Sequence, residues 1–265
     1  MVESTEDLQA SIQAFNSLPD EERQEVVVLS MDAKALFPSI EIDRSAEVVY
    51  ELMMESEIVY GNICDDEMTR YAAVVFDNDT IQKYGLQDYV MRRKSNHGVK
   101  PTVVGREMED PWSPKSSSWL KPAKPLNDYM RRKMLSALVS EEIRFVMKRH
   151  LFRFGEKFYK QMDGGSIGSV LTGEVSKART IVFMRKLKME CVRLRLNLYM
   201  AKIFVDDVLA LLRFPGMGFI LRDKQLVWDP AQQTRDTGVA HDVIAAHLLV
   251  RIANSIENES DIQMI

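Results

Sequence analysis

The sequence predicts an α+β fold, because stretches of helical spacing are interleaved with one short β-branched run and with three segments that read as hairpins. The 265 residues are 46% hydrophobic and 28% charged, with only 12 Gly and 9 Pro. That composition excludes disorder and low-complexity arrays and is enough for a real core.

Along the chain, Ser4 to Leu18 carries Leu8, Ile12 and Phe15 on one helical stripe, closed by Leu18-Pro19-Asp20. Glu25 to Met31 is a β-branched apolar run with the signature of a buried strand ending at Asp32. Ser45 to Met54 reads as an amphipathic helix capped by Ser45, with Val48, Val49, Leu52 and Met53 inward. Residues 94–125 hold five prolines and a serine triplet, so they read as a long irregular insertion, the segment expected to be most mobile. Helical spacing returns over Tyr129 to His150 through Met134, Leu135, Leu138, Ile143 and Met147. Phe152 to Tyr159 alternates like a hairpin around Gly155-Glu156, and Val170 to Leu198 reads as a basic helix. Lys202 to Leu212 is apolar apart from one aspartate pair, Met217 to Trp228 reads as a hairpin turning at Asp223-Lys224, and a last helix is expected from about Val239 to Ile256.

No apolar run approaches the ~20 residues of a membrane span, and Met1 to Glu25 is acidic where a signal peptide would be basic and then apolar. The expectation is a soluble chain in nucleus or cytoplasm, neither secreted nor membrane-bound. Cys64 and Cys191 offer no disulfide framework or zinc quartet, and neither thiol is expected to do chemistry. The net charge of -4 hides a strong asymmetry. Residues 1–90 hold 5 basic against 20 acidic side chains, residues 91–160 hold 17 against 7, and residues 161–265 hold 13 against 12. A basic middle can follow a phosphate backbone, with Arg131, Arg132, Lys133, Lys148, Arg149 and Arg153 as candidates. A charge run alone more often marks solvated helix faces.

Three constellations carry chemistry. In Ser30 to Ile40 a buried strand delivers Asp32, an oxygen ligand of the kind hard divalent cations take, with Phe37 five residues on. In Ala201 to Leu212 apolar arms flank Asp206-Asp207, which a hairpin would place together at its tip. Carboxylates set amid an apolar run require a compensating partner, and a cation shared with Asp32 would provide one. Two metals held by carboxylates are the apparatus of in-line phosphoryl transfer. The third is Phe158 to Gly173, a glycine-rich loop leading into a long basic helix, where glycines let backbone approach a ligand closely.

In that order, the three resemble motifs A, B and C of the reverse transcriptase palm. Asp32 to Ile40 looks like motif A, Gln161 to Gly173 like motif B, and Phe204-Val205-Asp206-Asp207 like the aromatic-x-Asp-Asp box of motif C. Phe152 to Ser169 most resembles Penelope-like retroelement enzymes, in which a Gly-Lys-Phe-Tyr-Gln type lead-in precedes Gly-x-x-x-Gly-Ser. The resemblance covers roughly residues 25–260. It implies a polymerase palm, an antiparallel sheet with helices packed on one face, plus partial fingers. It also implies a helical lead-in over 1–24, the palm-like domain over 25–265, and an RNA-directed DNA polymerase of a retroelement. Magnesium, or manganese, would be the cofactor, and a primed RNA or DNA template with deoxynucleoside triphosphates the substrates.

The resemblance carries roles to residues one by one. Asp32 and Asp206 would ligate the cations, with Asp207 a less essential neighbour and the Ala33 carbonyl a further ligand. Phe37 would be the steric gate against a ribose 2'-hydroxyl. Gln161, Gly164, Gly165, Gly168 and Ser169 would shape the floor beneath the templating base and incoming nucleotide. Departures are visible too. Only about thirty residues precede motif A, where the family has fingers strands, and Val170-Leu171-Thr172-Gly173 stands where it has Pro and Leu-Ser-Pro. Fingers and thumb are therefore expected to be truncated or supplied by a partner chain, and poor extension is expected of the isolated chain. Two alternatives stand beside this reading. One is a palm-derived nucleic-acid-binding protein of weak or no turnover. The other is a family B DNA polymerase fragment, whose motif A also looks like Asp32 to Ile40 but whose motif C carboxylates lie two apart.

Asp65-Asp66-Glu67 reads as a favourable helix start, His241 and His247 as surface or packing histidines, and Phe214 to Phe219 as a turn.

Overall fold

A computed structural model of the chain describes residues 5–20, 26–34, 36–57, 63–93, 119–162, 164–166, 168–194, 196–204, 207–213, 219–222, 225–228, 241–257 and 263–264. In chain order the elements are α1 (Thr5–Asn16), β1 (Val26–Lys34), α2 (Ile42–Glu55), α3 (Asp65–Val75), α4 (Asn78–Lys83), β2 (Arg92–Arg93), β3 (Trp119–Leu120) and α5 (Asp128–Met147). Then come β4 (Leu151–Phe154), β5 (Lys157–Lys160), α6 (Val170–Arg193), β6 (Asn197–Phe204), β7 (Asp207–Arg213), β8 (Phe219–Arg222), β9 (Gln225–Trp228), α7 (His241–Glu257) and β10 (Gln263–Met264). The fold is mixed helix and sheet, and every strand pairing is antiparallel. Two compact units divide the chain, Met1–Ser45 with His150–Ile265, and Ala46–Arg149.

The first unit is built on a four-stranded sheet in the order β10-β1-β7-β6. Period-two alternation decides its faces. Leu29 and Met31 of β1, Val208, Ala210 and Leu212 of β7, and Ala201 and Ile203 of β6 are buried together. Helices α6 and α7 cover them with Phe183, Leu187, Cys191, Leu249 and Ile252. Fully burying a side chain of leucine size stabilises by about 1.5–3 kcal/mol, so this single layer holds the sheet to its helices. The same burial pushes the Cys191 thiol up to about 11, which leaves it a packing group. On the other face α1 lies against β6, with Phe15 edge-on to Tyr199 and Lys202 Nζ 3.1 Å from both carboxylate oxygens of Asp7.

Four local expectations change. The run over Glu25 to Met31 is not buried on both faces: Val28 is 66% exposed, because the helices cover only the opposite side. Asp32 does not end the strand but sits within it, since β1 continues to Lys34 by pairing with β10. Ser45 is not a cap. The helix starts at Ile42, Glu41 Oε2 accepts from the Arg44 amide, and the buried Ser45 hydroxyl donates to the Glu41 carbonyl. Finally, α6 stops at Arg193 and β6 begins at Asn197, so Asn197 and Leu198, expected to end the helix, are strand. Residues 94–118 of the expected irregular insertion, and the turn over 214–218, lie outside the described residues.

In the second unit α3 and α5 pack through Met68, Ala72, Met134, Ala137 and Leu138, with Phe76, Tyr84 and Leu86 completing the core. The acidic start of α3 is a capping box, with Cys64 Sγ accepting from the Glu67 amide. Asp65 there takes two hydrogen bonds from Arg131, Nε to Oδ1 at 2.8 Å and Nη2 to Oδ2 at 2.9 Å. Among the described residues no helix is long and apolar enough to cross a membrane.

The Arg131 hydrogen bond holds the Asp65 carboxyl below its ordinary range. A lowered carboxylate pKa contributes stability that is present above the unfolded value and is lost as pH falls through the folded one. Arg131→Ala should therefore lower the denaturation midpoint at neutral pH, with the difference from the parent shrinking as pH drops below about 4. Denaturant melts of both proteins across that range measure it.

Candidate active site

The register of β1 against β7 sets Ser30 opposite Leu209, Met31 opposite Val208 and Asp32 opposite Asp207. Residues directly opposite in an antiparallel pair project to the same face with Cβ atoms about 4.5–5.5 Å apart. Met31 and Val208 are buried, so Asp32 and Asp207 belong to the other face, and both are exposed. Like charges directly opposite destabilise a sheet unless something positive lies between them.

The neighbouring strand differs from expectation. The sequence suggests that the strand before the aspartate pair lies beside β1, whereas β7, the strand after it, takes that place and β6 lies beyond. The reason is burial: Val208, Ala210, Leu211 and Leu212 are all buried, which suits a central strand, while β6 carries Lys202 and Tyr199 at the edge. Asp207, expected to be the less essential neighbour, is the direct partner of Asp32. It opens β7 opposite Phe204; Val205 and Asp206, the latter expected to share a cation with Asp32, lie outside the described residues. Ala33 is the register partner of Met264, so its backbone belongs to the β1–β10 ladder.

The glycine-rich loop returns to the end of β1. The Gly165 amide donates to the Phe37 carbonyl at 2.8 Å, and the Ile40 amide shares that acceptor at 3.4 Å. Gly164 is required for this closeness, and Gly165 for the approach of the loop to α6. Gly164 has φ +74°, and a Cβ there would lie 2.6 Å from the Pro38 carbonyl oxygen. A Cβ on Gly165 would lie 2.2 Å from Thr172 Cγ2. Phe37 itself is half-buried. Gly168 is exposed at φ +87° with open space around it, and Ser169 caps α6, its hydroxyl accepting from the Thr172 amide at 3.5 Å. The structure thus gives Ser169 a helix-starting role that the sequence reading omitted. Gln161 closes the β4–β5 hairpin through its amide to the His150 carbonyl at 2.9 Å, and Ser166 Oγ lies 3.2 Å from His150 Nδ1.

The basic candidates divide. Arg131 is committed to Asp65 and Asp128, Arg132 donates to the Met54 carbonyl at 3.2 Å, and Lys133 lies over the Tyr129 ring. Those three serve the packing of their own unit. Lys148 and Arg149 are exposed, with the Arg149 guanidinium 3.7 Å above the Phe145 ring. Arg153 is exposed on β4, over Phe158 and donating to the Gly155 carbonyl. Among the described residues no three His, Cys, Asp or Glu side chains converge; Asp206 is not among them. The two carboxylates that are described are hard oxygen donors on one open face, a donor set that suits magnesium or manganese.

No family model matches the chain, and no curated protein or solved structure matches it at a significant level.

The loop geometry has a direct test. Gly164→Ala meets both a positive φ and the Pro38 backbone, so it should cost about 2–4 kcal/mol, the sum of left-handed strain and overpacking. Gly155→Ala has only the φ of +62° to contend with and should cost about 1–2 kcal/mol. Urea denaturation of the two variants checks the order.

Proposed function

We propose that the first unit is the palm of a reverse-transcriptase-like enzyme, an RNA-directed DNA polymerase of retroelement type acting on a primed template and deoxynucleoside triphosphates. The observation that carries this reading is the pairing of Asp32 with Asp207 across β1 and β7, with Asp207 also opposite Phe204 of β6. The adjacency of Asp206 and Asp207 favours this family over a family B polymerase. The hydrogen bond from the Gly165 amide to the Phe37 carbonyl supports it further, because it ties the third constellation to the first.

Asp32 and Asp207, with Asp206 beside them, would hold the divalent cations. When bound, such cations supply Lewis-acid stabilisation of the transferring phosphoryl oxygens and lower the pKa of the attacking hydroxyl. The chain's own part is placement. The β1–β7 register fixes the two carboxylates on one rigid sheet, and positioning to within about 1 Å is worth on the order of a hundredfold in rate. The clamp between Gly164-Gly165 and Phe37-Pro38 holds the Phe37 backbone close to the loop proposed to lie under the incoming nucleotide. Ser169 fixes where the α6 helix begins beyond that loop. Arg153, exposed on β4 of the same unit, is a cation for template phosphates.

Two measurements test the reading. In chelator, Asp207→Asn should melt at or slightly above the parent, because opposed like charges cost about 0.2–1 kcal/mol. On titration with magnesium or manganese the parent should gain stability, up to about 2.7 kcal/mol at a hundred times Kd, and Asp207→Asn and Asp32→Asn should gain little. Extension of oligo-dT on poly-rA should be low in the parent and at least about a hundredfold lower in Asp32→Asn. Equal cation stabilisation of parent and variants would remove the metal assignment. In any version that extends, Phe37→Ala should raise ribonucleotide incorporation; unchanged discrimination would remove the gate role.

A further inference from the structure

The β4–β5 hairpin is exposed along both strands, a pattern no other strand pair with described side chains shares. Its cross-strand pairs are Leu151 with Lys160, Phe152 with Tyr159, Arg153 with Phe158, and Phe154 with Lys157. Directly opposite residues share a face, and i, i+2 residues do too. One face therefore carries Phe152, Phe154, Tyr159 and Lys157, and the other carries Arg153, Phe158, Leu151 and Lys160. Phe154 is 77% exposed and Phe158 71%. Phe152 and Tyr159 are stacked with centroids 5.5 Å apart and planes 19° from parallel.

Large rings left in water on a two-stranded ribbon are costly, and such a hairpin is marginal by itself. This one is fastened at its base by the Gln161 amide on the His150 carbonyl and held at its tip by Gly155 at φ +62°. It is thus a presented surface. Against one acid, Glu156, it sets three cations, Arg153, Lys157 and Lys160, each beside an aromatic ring in sequence or across the ribbon. That charge selects a polyanionic occupant, and the flat rings select one with exposed planar faces. Strand surfaces that carry two or three exposed rings are how sheet-based RNA readers stack unpaired bases, with cations taking the phosphates.

We propose that the β4–β5 hairpin is a stacking platform for unpaired nucleotides of a single-stranded nucleic acid. Phe152, Phe154 and Tyr159 take bases, while Lys157, Lys160 and Arg153 take phosphates. Duplexes, whose base faces are covered, are poor ligands for the rings. The inference shares Arg153 with the proposed template contacts but uses neither Asp32 nor Asp207, and its binding test in chelator fails or succeeds separately from extension.

The test is fluorescence anisotropy of labelled 15-mers of oligo-dT and oligo-rU, with the full chain, in chelator so that binding at the hairpin is read apart from any chemistry at the carboxylates. The parent should bind both, with affinity falling as salt rises. Phe154→Ser should weaken binding about tenfold and Phe154→Ser with Tyr159→Ser about a hundredfold, in proportion to the stacking lost. Lys157→Gln with Lys160→Gln should flatten the salt dependence by about one to two charges. The rings lie outside both cores, so circular dichroism melts should be unchanged. Ring variants that bind as the parent does would overturn the proposal, as would equal affinity for a duplex of the same length. So would a parent that binds no strand and instead forms a dimer dispersed by the ring substitutions.

Discussion

One alignment governs the first unit: the register of β1 against β7. A slip of a single residue would turn Leu29 and Met31 away from α6 and α7 and bring Val28 and Ser30 inward. The loss of two buried side chains, at about 1.5–3 kcal/mol each, is far more than the few tenths recovered by separating two carboxylates. Hydrophobic burial therefore imposes the juxtaposition of Asp32 and Asp207. The sheet accepts a repulsive pair at its solvent face because its other face leaves no alternative. Strain of that kind, small and fixed by packing elsewhere, is what a cation site requires of its scaffold.

The glycine-rich loop depends on the same strand. Leu36 is buried in the core beneath the sheet, which fixes the turn after β1, and that turn presents the Phe37 carbonyl to Gly165. Any side chain at Gly164 would separate the two segments, and one at Gly165 would strike Thr172 of α6. Two stretches more than a hundred residues apart are thus joined by backbone, with nothing in the contact that depends on side-chain identity beyond the absence of one.

Much of this was legible in the sequence. The 3.6-residue spacing of Met134, Leu138 and Met147 located α5, because burial writes its period directly into the chain, and the apolar arms on either side of the aspartate pair located β6 and β7. The aspartate pair amid apolar neighbours marked a hairpin turn for the same reason. Pairing order was not legible. Both arms of that hairpin are apolar, and only the burial of Val208, Ala210, Leu211 and Leu212 of β7 against the Lys202 and Tyr199 contacts of β6 decides which is central. Basic residues were also misleading as a class: nothing local in the sequence marks Arg131, whose partner Asp65 comes from another helix.

Charge is arranged accordingly. The first 90 residues are strongly acidic, and the acidity at the sheet end is concentrated where two carboxylates oppose each other. The β4–β5 hairpin, which belongs to the same unit, carries a net positive charge and rings instead. A polyanion would be repelled by the bare carboxylates and drawn to the hairpin. With divalent cations at the carboxylates, the repulsion would be removed. If both proposals hold, electrostatics sets an order of events: the hairpin would hold a strand whether or not cations are present, whereas approach of phosphates to Asp32 and Asp207 would wait on them. A grip separate from the proposed site of reaction would let affinity come from stacking and exposed charge and keep the opposed carboxylates for a cation.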